Sequence, residues 1–203
     1  MTCIVGFTDK ENGVTWLGGD SLGSNAWTKA TQKNSKVFHN STMKNIVVGG
    51  TTSFRHLDLL EYTDNLFPEV DFYKGTVIDR QYMVKTFIPN IFNLFQSVCV
   101  HMPETSRGAN FLIGTNGKLF EVQGDYSVLE PDCGYAAVGS GAETALGSLY
   151  ASVDIGFWGN GKLITPQEHI TMALRAAAHK CCGVQAPFYI INSKNDEVIT
   201  IID

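Results

Sequence analysis

The sequence opens Met1-Thr2. Methionine followed by a small residue is the pattern that lets an aminopeptidase remove the initiator. Thr2 would then carry a hydroxyl and a free α-amine on one residue. A hydroxyl is a weak nucleophile and needs a base within hydrogen-bond reach. An α-amine titrates at about pH 8, close to the range in which a base works. One residue thus supplies both nucleophile and base, provided Met1 is removed. With Met1 retained the amine is blocked.

Three further groups have types and positions that serve such a nucleophile. Gly18-Gly19-Asp20-Ser21 follows an apolar stretch, and its small residues let another chain segment approach closely. Asp20 is expected to face the first strand and orient a cation. Lys36, sixteen residues on, is that cation. A lysine beside a hydroxyl lowers its pKa and helps move protons. Gly139-Ser140-Gly141 joins a strand to a helix, where serine can cap the helix or reach a neighbouring amine. Gly49-Gly50-Thr51 has the same form, and its amides are candidates for an oxyanion hole. The histidines show no metal spacing, and there is no Walker loop, GxGxxG or GxSxG. No metal or cofactor is expected.

These residues need a scaffold. Thr2 to Phe7 and Val14 to Gly18 read as strands around an Asp9–Gly13 turn. Ser21 to Ser35 reads as loop with short irregular strand, followed by strands at Lys36–Phe38 and Asn45–Gly49. Helices are expected from Phe54 to about Leu66 and from Asp79 to about His101. The second carries Met83, Phe87, Ile91, Leu94 and Val98 at helical spacing, with a break or kink at Pro89. Strands follow at Phe111–Gly114, Lys118–Val122 and Tyr135–Val138, and then a helix from Ala142 to about Val153. Thr165-Pro166-Gln167-Glu168 is a capping box with proline at the first helical position, opening a helix to about Cys181. Phe188–Asn192 and Val198–Ile202 close as a hairpin around Asn195-Asp196. Hairpins rather than βαβ crossovers join the strands, so antiparallel sheets with helices outside are expected.

Composition sets the frame. The 203 residues suffice for one sizeable core, and a single domain over 1–203 is the simplest reading. Apolar residues make up 44% and charged residues 17%, which excludes a disordered chain. Fifteen Lys plus Arg against twenty Asp plus Glu give a net charge of −5, which argues against nucleic acid or anionic membrane as the main partner. No signal peptide or bilayer-length apolar run is present. Five cysteines without a CxxC pair suggest neither a disulfide framework nor a zinc cluster. A cytoplasmic, reduced protein is expected.

Taken in order, Thr2-Cys3-Ile4-Val5, Gly19-Asp20, Lys36, the Gly49-to-Ser53 turn and Ala137-Val138-Gly139-Ser140-Gly141 resemble the proteasome β-subunit family of N-terminal-nucleophile (Ntn) hydrolases. The nearest likeness is to HslV, the bacterial double-ring peptidase, and its proteasome-like relatives in bacteria and phages. The resemblance runs over nearly the whole chain. It implies an α+β fold, a four-layer αββα sandwich of two mainly antiparallel sheets. It implies Thr2 as nucleophile, Asp20 and Lys36 as the charged pair, Ser140 bonded to the threonine amine, and amides of Gly49, Gly50 and Thr51 for the oxyanion. It implies a threonine endopeptidase that cleaves unfolded polypeptides inside a homo-oligomeric ring, fed by an AAA+ ATPase unfoldase.

The sequence departs from the family near the last long helix, where many members carry an Asp and a Ser three residues apart. His179 and Cys182 stand at those positions here, a changed support shell. The Gly-rich stretch from Asp154 to Gly161, with Phe157 and Trp158, reads as a subunit contact. Two alternatives stay open: a catalytically silent ring or scaffold on the same fold, and an Ntn amidase for a small substrate.

Overall fold

The computed structural model describes residues 2–24, 27–51, 53–71, 75–98, 109–154 and 163–202. Two five-stranded sheets form its centre. The first runs in the order β10 (Tyr135–Val138), β1 (Ile4–Asp9), β2 (Val14–Asp20), β11 (Phe188–Asn192), β12 (Asn195–Ile201). The second runs β5 (Val37–His39), β6 (Val47–Gly50), β7 (Phe111–Thr115), β8 (Lys118–Val122), β9 (Val128–Leu129). All of these pairings are antiparallel. A separate two-stranded ribbon, β3 (Leu22–Ser24) with β4 (Lys29–Thr31), occupies the stretch read as irregular.

Three apolar interfaces make four layers. Ile4, Leu17, Val37, Val47, Leu112 and Ile191 fill the space between the sheets. The outer face of the first sheet packs against α3, which comprises Ala142–Leu149 and a π-helical turn at Tyr150–Asp154, and against α4 (Pro166–Lys180). The outer face of the second sheet packs against α1 (Phe54–Tyr62) and α2, residues 80–98. Both faces of each sheet are buried, so the central strands read as apolar runs without alternation. Glycine lets the sheets approach: a Cβ on Gly49 would stand 2.7 Å from Ile4 Cγ2.

The local signals explain the helix ends. Thr165 Oγ1 accepts from the Glu168 amide and Glu168 accepts from the Thr165 amide, the expected capping box. The first helix ends at Tyr62 rather than near Leu66, and two further elements differ from the sequence reading. The irregularity expected at Pro89 occurs one turn earlier, as a π-helical turn over Met83–Phe87. Its extra residue advances the buried face, so Phe95 rather than Leu94 is buried after Met83, Phe87 and Ile91. The last hairpin turns at Ser193-Lys194, not Asn195-Asp196, because Asn192 Oδ1 accepts from the amides of Lys194 and Asn195.

His56 is fully buried on α1 and stacks on Phe95 at 4.4 Å. Neither ring nitrogen has a hydrogen-bond partner among the described residues. Burial lowers its pKa below the ordinary 6.5. The unfolded chain therefore takes up a proton at His56 that the folded chain resists, and stability falls as pH drops below 6.5. His169, buried and bonded to Ser152 Oγ at 2.9 Å, is shifted the same way by burial. His56→Phe keeps the stack on Phe95 and removes the titrating group. Urea melts between pH 7.5 and 5 are expected to show a shallower decline for the variant than for the wild type; equal slopes would exclude His56 as a source.

Candidate active site

Thr2 lies just ahead of β1, whose first paired residue is Ile4, and is 6% exposed. The turn after β10 holds its backbone at three points. Ser140 Oγ donates to the Thr2 carbonyl at 3.3 Å, the Gly141 amide donates to the same oxygen at 3.2 Å, and the Thr2 nitrogen donates to Ser140 Oγ at 3.2 Å. Gly139 has φ +100°, and a Cβ there would sit 2.3 Å from the Thr2 carbonyl oxygen. Only glycine fits a backbone so close. Gly139→Ala is expected to lose about 1–3 kcal/mol in a urea melt and to displace Thr2. A substitution without effect on either would mean that the turn does not set Thr2's position.

The charged pair comes from the end of β2 and the residue before β5. Lys36 is 2% exposed and Asp20 is fully buried. Lys36 Nζ lies 2.9 and 3.0 Å from the two Asp20 oxygens, 2.7 Å from the Leu22 carbonyl and 3.0 Å from Thr2 Oγ1. An ammonium has three N–H donors. One bifurcated to the carboxylate, one to Leu22 and one to Thr2 use all three. Asp20 also accepts from the Cys3 amide at 3.0 Å and the Leu22 amide at 3.0 Å. The carboxylate thereby ties the lysine to the backbone of Cys3, next to the nucleophile candidate, and of Leu22. Burial pushes the Lys36 ammonium below the usual lysine range, and Asp20 opposes that shift. A buried cation whose deprotonation burial eases, 3.0 Å from a hydroxyl, can lower the hydroxyl's pKa or exchange a proton with it. The neighbouring Cys3 is no rival nucleophile, because burial pushes its thiol up to about 12.

Thr2, Lys36, Gly50 and Thr51 share a cleft of about 140 Å³ with Leu22, Phe54 and Leu57 on its walls. A roomier cleft of about 550 Å³ lies at the other end of β1, beside Thr8 and Lys10, and contains none of these residues. Among the described residues no group of three His, Cys, Asp or Glu is placed to hold a metal. No helix among them is long and apolar enough to cross a membrane.

Two expectations about supporting groups need correction. The amides of Gly50 and Thr51 are not open to an oxyanion: they donate to Lys36 O at 3.1 Å and Asn110 O at 3.0 Å. The strand runs one residue further than expected, so the β ladder takes up both donors, and Gly49 lies within it opposite Val37 and Leu112. His179 and Cys182 are exposed, and it is Cys181 whose thiol meets Ser140 Oγ, at 3.4 Å. Helical register is the reason. Ile170, Ala173, Leu174 and Ala177 form the buried face of α4, and Cys181 is the next position on it, its amide bonded to Ala177 O at 2.8 Å. That spacing was visible in the sequence. Met1 and the aromatic stretch 155–161 lie outside the described residues.

Solved structures share this architecture. BPH from Thiobacillus denitrificans superposes with a TM-score of 0.65 at 19% identity, covering 95% of this chain and 97% of that one. The same protein in complex with epoxomicin gives 0.67 at 18%, covering 94% and 97%. HslV from Trypanosoma brucei gives 0.66 at 16%, covering 94% and 98%. No family model and no curated protein matches the sequence significantly. The chain therefore shares the fold of BPH and HslV, a four-layer αββα sandwich of two antiparallel sheets.

Proposed function

We propose that this protein is an N-terminal threonine peptidase whose nucleophile is Thr2 once Met1 has been removed. The observation that carries the reading is the buried Lys36–Asp20 pair, with Lys36 Nζ 3.0 Å from Thr2 Oγ1. A buried ion pair is weak evidence for stability, because desolvation offsets most of its attraction. Aimed at a hydroxyl in a cleft, it has a chemical use.

The steps follow from the groups present. Thr2 Oγ1 attacks the substrate carbonyl carbon and passes its proton to the α-amine of the same residue. Lys36 eases loss of the proton from Thr2 Oγ1 and Asp20 holds Lys36 in place, while the carbonyl π pair moves onto the substrate oxygen and returns when the intermediate collapses. The amine then protonates the departing nitrogen as the peptide bond breaks, leaving an ester on Thr2. Water, activated by the same amine, hydrolyses the ester and restores the hydroxyl. Ser140 fixes the nitrogen from which the base is made. The cleft of about 140 Å³ carries Leu22, Phe54 and Leu57 beside the polar Ser24, Lys36, Thr51 and Ser53; it is small for a whole metabolite, whereas a polypeptide need place only one side chain in it. That favours the peptidase over a small-substrate amidase. A homo-oligomeric ring, one domain per subunit, and an ATPase unfoldase partner belong to the same reading by likeness to HslV.

The test combines intact mass with chemical labelling. Purified protein is expected to begin at Thr2 and to react with epoxomicin, the compound bound by the Thiobacillus structural neighbour, at Thr2 alone. A chain that begins at Thr2, is not labelled and cleaves neither peptides nor unfolded protein would overturn the proposal. A chain that keeps Met1 in its native host would favour the silent scaffold.

A further inference from the structure

A second cleft, of about 380 Å³, adjoins the support of the nucleophile candidate. Cys181 and Cys182 both line it, with Lys29 and Arg175. Its described lining carries two cationic side chains and no acidic one, a composition suited to an anion. Lys29 Nζ reaches Gln185 Oε1 on the same wall at 3.3 Å. Cys181 is half-buried and Cys182 exposed, and both are free thiols. This is therefore a pair of adjacent thiols in a cationic pocket.

Cys181 also connects the pocket to Thr2. Ser140 Oγ has one hydrogen and two lone pairs. The hydrogen goes to Thr2 O, one lone pair to Thr2 N, and the other to the Cys181 thiol at 3.4 Å. All three capacities of the hydroxyl are used. A sulfur in a disulfide has no hydrogen to donate, and any group attached to it competes for the space around Ser140.

We propose that Cys181 is a modification site that forms a mixed disulfide with an anionic low-molecular-weight thiol, and that its occupation releases Ser140 from Thr2. The reagent class is a symmetrical anionic disulfide, glutathione disulfide being the probe. The Cys181 thiolate attacks one sulfur of the reagent. A Cys181 S–S bond forms, the reagent's S–S bond breaks, and the other half leaves as thiolate and takes up a proton. The protein thiol is oxidised and half of the reagent is reduced. Cys181 is a positioning residue, acting on Thr2 through Ser140. Only the effect on turnover rests on the peptidase reading; the modification does not.

The experiment treats the full-length, Met1-processed protein with glutathione disulfide or with neutral bis(2-hydroxyethyl) disulfide, and maps adducts by peptide mass spectrometry. Cys181 is expected to react at least about fivefold faster with the anionic reagent at low salt, and Lys29→Gln with Arg175→Gln to narrow that ratio. Turnover is expected to fall at least about tenfold and to return with dithiothreitol. Cys181→Ser should take up no adduct at that position and hold its own untreated rate during treatment. Its pH–rate profile should match the wild type more closely than that of Cys181→Ala, because a hydroxyl still donates to Ser140. Adducts confined to Cys182 or to the exposed Cys133, equal rates for both reagents, or a Cys181 adduct that leaves turnover intact would each overturn the proposal. If untreated protein with a free Thr2 shows no turnover, the peptidase reading fails, and the mapping arm still decides the modification.

Discussion

Thr2→Ala is expected to reduce cleavage of an unfolded protein substrate by at least about 10³-fold while the fold persists. Alanine is also small enough at position 2 to permit removal of Met1. The variant therefore keeps the free amine and loses only the hydroxyl and a methyl group. Lys36 loses one acceptor but retains Asp20 and the Leu22 carbonyl, so no charge is stranded. One lost hydrogen bond costs about 1 kcal/mol, a shift of about 2–4 °C in Tm for a domain of this size. Thr2→Ser keeps hydroxyl and amine together and should keep measurable turnover. The two variants read together separate nucleophile from scaffold. Turnover retained in Thr2→Ala would move the nucleophile elsewhere. Turnover absent from processed wild type, Thr2→Ser and Thr2→Ala alike would leave a silent member of the fold.

Much of this site was legible because its residues stand at strand ends. Asp20 closes β2, Lys36 precedes β5, and Ser140 follows β10, so apolar runs ending in small residues locate each one. That they converge on Thr2 was suggested by their residue types and order and made a single set by the resemblance, since no one spacing brings a β2 end beside a β10 end. The oxyanion amides went astray for a physical reason. Which amides a strand leaves open depends on its last paired residue, and a one-residue extension of β6 to Gly50 commits the next donors. Composition near a strand end does not resolve one residue. Cys181 is the opposite case: the register of α4 points to it, while the likeness to the family's Asp and Ser three residues apart pointed to Cys182, one residue away. The π-helical turn in α2 lies between. Pro89 signalled an irregularity, but not which turn would absorb it.

The buried pair gives the second large effect. Lys36→Met is expected to reduce turnover by about 10²–10³-fold, because the cation nearest Thr2 Oγ1 is gone. It should also lose about 3–5 kcal/mol of stability, since the fully buried Asp20 is left with only the Cys3 and Leu22 amides. Asp20→Asn strands the lysine instead. Burial already lowers the Lys36 pKa, and without the opposing carboxylate it falls further. Activity loss in either single variant is therefore ambiguous, because both destabilise. The double variant Asp20→Asn with Lys36→Met resolves it. It buries no net charge, and its amide can still accept from the neighbouring backbone, so urea melts should recover a large part of the stability lost in Lys36→Met. Turnover should stay as low as in Lys36→Met, because nothing restores a cation beside the hydroxyl. Recovery of both together would make the pair a structural feature and remove the main support for Thr2 as the nucleophile. Recovery of stability alone would separate the chemistry of the pair from its place in the fold.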